Sequence, residues 1–264
     1  VYLRCAELTG KGLISASAKG VSNAHGGSGG RIAVHQTESD SIDGFTNVTM
    51  RAYGGWDLAK PTGAPGTIYT CTRSQAAPGG TGGDLWIRNG GGVYGAAEIS
   101  QQMEDTTVGS VHIDSGCALV VHSGRTLTVN GDFLNDGSLV CSNDSTVVFA
   151  TTNNALVRGV NPFYNLTCAT GGKTIRFAPQ AEGNSIVRVR TGGTLTLTGT
   201  DKQRPLVLTN ATEDAAWKLT LANGTEQKVM YVAAAGSDAA KRRARGLRAC
   251  PCRSEAHGRR RIRT

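Results

Sequence analysis

The residues of this chain best suited to chemistry lie in and after two glycine-rich strings. Gly26 to Val34 reads G-G-S-G-G-R-I-A-V, and Gly79 to Ile87 reads G-G-T-G-G-D-L-W-I. Glycine-rich loops cradle phosphate through backbone N–H groups when a Lys-Ser/Thr pair and a helix follow. Neither string has that sequel. The second string does satisfy G-G-x-G-x-D-x-U-x, a calcium-binding nonapeptide, with Asp84 in the ligand position and Trp86 in the apolar one. Asp84 is therefore the candidate calcium ligand, and calcium the only cofactor the sequence suggests. Such sites need adjacent copies, whereas the other string starts 53 residues earlier and has Arg31 where the Asp should stand. The competing reading has Asp84 capping a corner of the backbone.

Other constellations point to different chemistry. Glycoside cleavage needs two carboxylates held at a set distance. Asp132, Asp136 and Asp144 are close in sequence, but their Asn/Gly settings read as turns in which Asp bonds its own backbone. No G-x-S-x-G elbow accompanies the five histidines. His112 and His122 read as polar residues exposed on neighbouring strands. No residue is assigned a catalytic role, and no enzymatic activity is expected. Sugars stack on aromatic rings, and Tyr53, Trp56 and Trp86 are the candidates here, with Tyr69, Tyr94 and Trp217 behind them. For Trp86 and Trp217, which fall in strand-like runs, core packing is the commoner fate.

The elements that must position these residues are strands. Gly is 36 of 264 residues and Pro only 7, and between the glycines lie short runs of Val, Ile, Leu and Thr that suit a pleated surface. Residues 1–95 run strand, glycine knot, strand. In that reading Gly26, Gly27, Gly29, Gly30, Gly79, Gly80, Gly82 and Gly83 are structural corners, where glycine permits sharp turns and close backbone approach. Residues 96–235 change to turn-punctuated coils, with G-x-x-L-x-V or related strings at Gly116, Gly124, Gly137 and Gly193. Leu119 and Leu139 stand one expected coil of 20 residues apart. Alternation in Thr126–Asn130 and Thr194–Thr198 puts Leu and Val inward and Thr outward.

Charge and cysteine usage divide the same way. Ten Lys or Arg and one acid fall between Lys241 and Thr264, so residues 1–240 are close to neutral although the whole chain carries +8. The body shows no basic, aromatic-interleaved face of the kind that binds nucleic acid. The five body cysteines lack metal-ligand spacing and read as small buried strand residues, with a Cys117–Cys141 disulfide as the alternative. No run approaches the roughly 20 apolar residues of a membrane helix.

Taken together, the string from Gly26, Phe45, Tyr53-Gly54-Gly55 and Pro65-Gly66-Thr67-Ile68-Tyr69 resemble glycine-rich repeat segments of very large secreted or surface bacterial proteins with pectin-lyase-like β-helices. Phe163 to Thr167, Gly172-Lys173-Thr174, Gly193 to Gly199, Pro205 to Leu208 and Trp217 resemble the filler coils of the same proteins. The resemblance implies an all-β, right-handed parallel β-helix with an extracellular or cell-surface location. It also implies a structural or adhesive role, with surface polysaccharide or neighbouring repeats of the same chain as partners. A carbohydrate-binding module is the alternative, and a polysaccharide lyase or glycoside hydrolase the third reading. Residues 236–264 are expected to form a basic, disordered tail. Its Arg/Ala/Cys content from about Ala240 departs from the polar sequence of similar proteins, as a frameshift in a GC-rich gene would make it. The chain opens at Val1 with no signal-like segment and reads as a piece of a longer exported protein.

Overall fold

The computed structural model describes residues 1–20, 26–57, 60–61, 63–90, 95–180, 183–213 and 216–237. His25, Tyr94 and the basic tail from residue 238 lie outside the described residues, as does the side chain of Trp56.

The chain is all-β, its strands mostly parallel and arranged in long stacked sheets. The N-terminal part contains β1 (Tyr2–Cys5), β2 (Gly12–Ser15), β3 (Arg31–Gln36), α1 (Asp43–Asn47), β4 (Val48–Arg51), β5 (Trp56–Asp57), β6 (Lys60–Pro61) and β7 (Gly66–Cys71). The short helix α2 (Arg73–Ala76) then leads to β8 (Asp84–Arg88). β1, β3 and β7 pair in parallel, as do β2 and β4. Ile32, Val34, Met50, Ala52 and Ile68 form a small core, with Phe45 of α1 packed against it.

From β8 onward the chain repeats a pass of three strands: the first and third strands of successive passes form the ten-stranded and a six-stranded sheet, whereas the second strands form two separate three-stranded sheets. The first pass is β8, β9 (Ala96–Ile99) and β10 (Thr106–Val108); the second is β11 (Val111–Ile113), β12 (Ala118–Val121) and β13 (Thr126–Val129). The third is β14 (Phe133–Asn135), β15 (Ser138–Cys141) and β16 (Thr146–Phe149), and the fourth β17 (Ala155–Arg158), β18 (Val160–Phe163) and β19 (Asn165–Cys168). β20 (Thr174–Ala178), β21 (Ser185–Val189) and β22 (Thr194–Thr198) make the fifth. The sixth is β23 (Leu206–Asn210), β24 (Trp217–Leu221) and β25 (Glu226–Met230), and β26 (Val232–Ala234) starts another. Each strand pairs in parallel with its counterpart one pass later, except that β15 and β18 are not paired, an arrangement consistent with a β-solenoid. Leu119 stands opposite Leu139, and Leu127 opposite Val147.

The alternating pattern explains why these segments stack. Leu127, Val129, Leu195 and Leu197 are buried while their Thr neighbours face outward, so each pass adds one layer to a continuous apolar interior. Phe133 lies in edge contact with Phe149 and Phe163, both at 6.2 Å between centroids. Toward the C-terminal passes the interior leaves only an apolar void of about 20 Å³. The buried asparagines are matched: Asn135 Nδ2 donates to Asn161 Oδ1 and Val160 O, both at 3.1 Å. Asn161 Nδ2 in turn donates to Gly159 O at 3.1 Å.

The two parts share one ten-stranded sheet, joined where β7 pairs antiparallel with β8. Opposite residues of an antiparallel pair share a face. Ile68 stands opposite Trp86, and Tyr69 opposite Leu85. Ile68 belongs to the N-terminal core, whereas Leu85 and Ile87 belong to the interior of the coils, with Tyr69 packed on it. The sheet thus buries one face in its N-terminal strands and the other from β8 onward.

Candidate functional site

The change of face determines what becomes of the outer side of β8. D-L-W-I-R sends Leu85 and Ile87 into the coil interior and leaves Asp84, Trp86 and Arg88 in a row on the other side. In a uniform solenoid that row would meet solvent. Here the α1–β4 layer of the N-terminal part overhangs it, and the two enclose an open cavity of about 470 Å³. Ile42, Phe45 and Met50 supply apolar lining; Tyr53, Asp84, Trp86 and Arg88 supply the rest of its character.

Each side chain of the row has a fixed setting. The Trp86 indole stacks on the His112 imidazole of the next pass, with 3.6 Å between centroids and 9° between planes. The Arg88 guanidinium carbon sits 4.1 Å from the Trp86 ring centroid, and Arg88 Nε lies 3.4 Å from Asp114 Oδ2. Asp84 Oδ1 accepts the Ser110 N–H at 3.0 Å, and Oδ2 accepts Gln75 Nε2 at 3.4 Å. Gln75 is itself fixed by a capping box, in which its side chain accepts the Thr72 N–H while Thr72 Oγ1 accepts the Gln75 N–H. The β7–β8 connection therefore folds so as to orient Asp84. Burial raises the Asp84 pKa, opposed by its hydrogen bonds from Gln75 and Ser110. Burial, reinforced by Arg88 and Arg158, lowers that of His112 to about 4, while nearby Asp136 acts in the opposite direction.

Of the predicted sugar-stacking residues, Tyr53 and Trp86 meet at this cavity. Trp86 is only partly buried and belongs to the outer face of its strand, whereas Trp217 is in the core, stacked on Phe177 at 4.5 Å. Asp84, predicted as a calcium ligand, lines the same cavity, each of its oxygens accepting one of the donors named above and keeping a further acceptor site. No group of three His, Cys, Asp or Glu that could hold a metal ion gathers among the described residues.

The predicted corner glycines fall into two kinds. A methyl group on Gly26 or Gly29 would overlap the carbonyl oxygens of Gly55 and Ala52, and Gly27 and Gly30 face Ala18 and Ala16. Gly26, Gly29 and Gly30 serve close approach, whereas a methyl group on Gly27 would meet the Ala18 methyl at an ordinary 3.7 Å; none of the four is in the left-handed region. Gly79 and Gly82 are left-handed, at φ 77° and 81°, while Gly80 and Gly83 abut the carbonyls of Ser74 and Thr70.

Cys71, Cys117, Cys141 and Cys168 are buried free thiols, as expected, and Cys5 a half-buried one, so the alternative Cys117–Cys141 bridge does not form; burial pushes Cys117, Cys141 and Cys168 up to about 11. Two expectations are corrected. Asp132 and Asp136 do not simply bond their own turns: Asp132 Oδ1 accepts the Leu156 N–H of the next pass at 2.7 Å, and Asp136 pairs with Arg158. His112 is a stacked, half-buried residue, while His122 Nε2 lies 3.1 Å from Glu98 Oε2.

Two residues escaped the sequence reading. Arg88 was legible from the alternation that exposes Trp86. Lys173 was not: it is fully buried, with Nζ donating to Ala150 O at 3.0 Å, Thr151 O at 3.4 Å and Asn153 O at 2.5 Å. It fastens a corner of the preceding pass, and burial lowers its pKa.

Comparison with protein-family models, curated proteins and solved structures finds no match.

Proposed function

We propose that this chain is a structural or adhesive module of a large exported bacterial surface protein, built as a right-handed, pectin-lyase-like β-helix. The observation that carries the reading is the stacking of six successive three-strand passes, paired in parallel on at least two faces throughout, over one continuous apolar interior. Such an object is a rod that separates or presents other parts of a protein, and each coil is stabilised by its neighbours. Outward Thr pairs on adjacent strands, such as Thr107 beside Thr128 and Thr167 beside Thr196, supply repeated hydroxyl groups for weak multivalent contact. No helix among the described residues is long and apolar enough to cross a membrane. Neighbouring repeats and surface polysaccharide are the partners this reading names.

Protease shaving of intact host cells tests the setting. Release of peptides from this chain is expected; their recovery only after lysis would contradict a surface location. Incubation of the purified chain with uronate polymers is expected to yield neither reducing ends nor unsaturated products, and release of either would establish an enzyme. Carbohydrate binding is the second reading, favoured by the meeting of Tyr53 and Trp86 at one cavity.

A further inference from the structure

We infer that the cavity between the α1–β4 layer and the outer face of β8 binds a single neutral pyranose unit of a glycan. The inference deepens the adhesive reading by naming its ligand class and place of contact. Its volume of about 470 Å³ lies within the roughly 300–1,000 Å³ of small-molecule sites. More informative is how its chemistry is divided. Asp84 accepts hydrogen bonds and Arg88 only donates them, and they flank Trp86 on alternate positions of one strand.

A ligand carboxylate would satisfy Arg88 but meet repulsion from Asp84, and an ammonium group would meet the reverse. A hydroxyl both donates and accepts, so a ring of hydroxyls suits the pair without a charge conflict. The same ring carries C–H groups on its faces, which suit the surfaces of Tyr53, Phe45 and Met50. Arg88 pairs with Asp114 and lies over Trp86, yet its Nε has no hydrogen-bond partner among the described residues. Trp86 Nε1–H and the Tyr53 hydroxyl likewise have no hydrogen-bond partner there, which leaves polar groups for a ligand's rim. The His112 stack holds the indole plane before any ligand arrives, so little ordering cost falls on binding.

The test is a titration of the purified, isotope-labelled chain, followed by backbone amide shifts. The probes are the methyl glycosides of glucose, galactose, mannose and xylose, together with cyclohexanecarboxylate and cyclohexylammonium as a ring anion and a ring cation. Saturable shifts with at least one glycoside are expected, confined to residues 42–53, 68–70 and 84–88. Affinity should fall by about tenfold or more in Arg88→Leu. Thr46 is exposed on the cavity lining, so Thr46→Trp should fill the space and abolish the shifts while leaving the rest of the spectrum unchanged. No saturable response to any glycoside, saturation by the ring anion or cation in their place, shifts elsewhere, or undiminished binding by folded Thr46→Trp would each overturn the inference. Because the titration is made in solution, its failure leaves the result of cell shaving untouched, and the two readings fall separately.

Discussion

Residues 1–71 and the coils from Asp84 onward share one sheet, yet they bury opposite faces of it, and glycines of contrasting roles serve them. In the N-terminal part, backbones approach so closely that a side chain has no room: a methyl group on Gly66 would overlap Gly30 O. In the coils, Gly124 has open space around it and is needed for its left-handed φ of 71°. Two strings that look alike, G-G-S-G-G and G-G-T-G-G, therefore solve different problems. One brings layers into contact, and the other shapes the connection that reverses the strand direction. The cavity exists because the two parts meet with their faces exchanged, which leaves β8 with a core on one side and an overhanging layer on the other.

The comparison can be broken most forcefully at Gly66. Gly66→Ala should cost on the order of 3–5 kcal/mol, because two backbones must separate. Hydrogen exchange should then accelerate in β1, β3 and β7 while the passes from β11 onward keep their protection. Equal loss in both would make the two parts one cooperative unit. The mirror experiment is Lys173→Met, which leaves the Ala150, Thr151 and Asn153 carbonyls without their donor. A cost of about 2–4 kcal/mol is expected in denaturant unfolding, with lost protection in the passes around β17 to β20.

The joint between the parts has its own signature in pH. The folded chain holds His112 near 4 against an ordinary 6.5, so between these values the unfolded chain binds the proton that the folded chain refuses. Stability from this group is complete above pH 6.5 and is lost as pH falls toward 4, by up to about 3 kcal/mol. His112→Phe keeps a ring beside Trp86 and should flatten that part of the stability profile relative to the parent chain. The smallest effect is expected at Gly124: Gly124→Ala should cost about 1–2 kcal/mol from conformation alone, and Gly124→Asn less, since Asn tolerates the left-handed region. Thermal melting distinguishes them, and equal costs would argue against a purely conformational role.

The strands, the coil of about 20 residues and the inward Leu and Val were legible because each rests on local alternation. Leu119 opposite Leu139 is such a case. Half of the cavity wall was legible on the same ground, since D-L-W-I-R alone puts Asp84, Trp86 and Arg88 on one side. The other half was not. That Ile42, Phe45 and Met50 would face this row depends on β7 meeting β8 antiparallel, a long-range pairing that no local pattern encodes. Cross-coil partners were hidden for the same reason. Asp132 in an Asn-Gly-Asp string looks like a turn residue until a neighbouring pass brings Leu156 N–H within 2.7 Å. The stacking of His112 on Trp86 likewise follows from register, 26 residues apart in the chain.

The antiparallel joint underlies the exchanged faces, the overhang and the cavity, and nuclear Overhauser contacts between α-protons examine it directly. Antiparallel neighbours bring opposite α-protons close, whereas parallel neighbours keep them apart. Strong α-proton contacts are expected between residues 66–70 and 84–88, at the non-hydrogen-bonded pairs Thr67 with Ile87 and Tyr69 with Leu85, and are not expected between β8 and β11. Their absence at 66–70 and 84–88, or their presence between β8 and β11, would contradict the account.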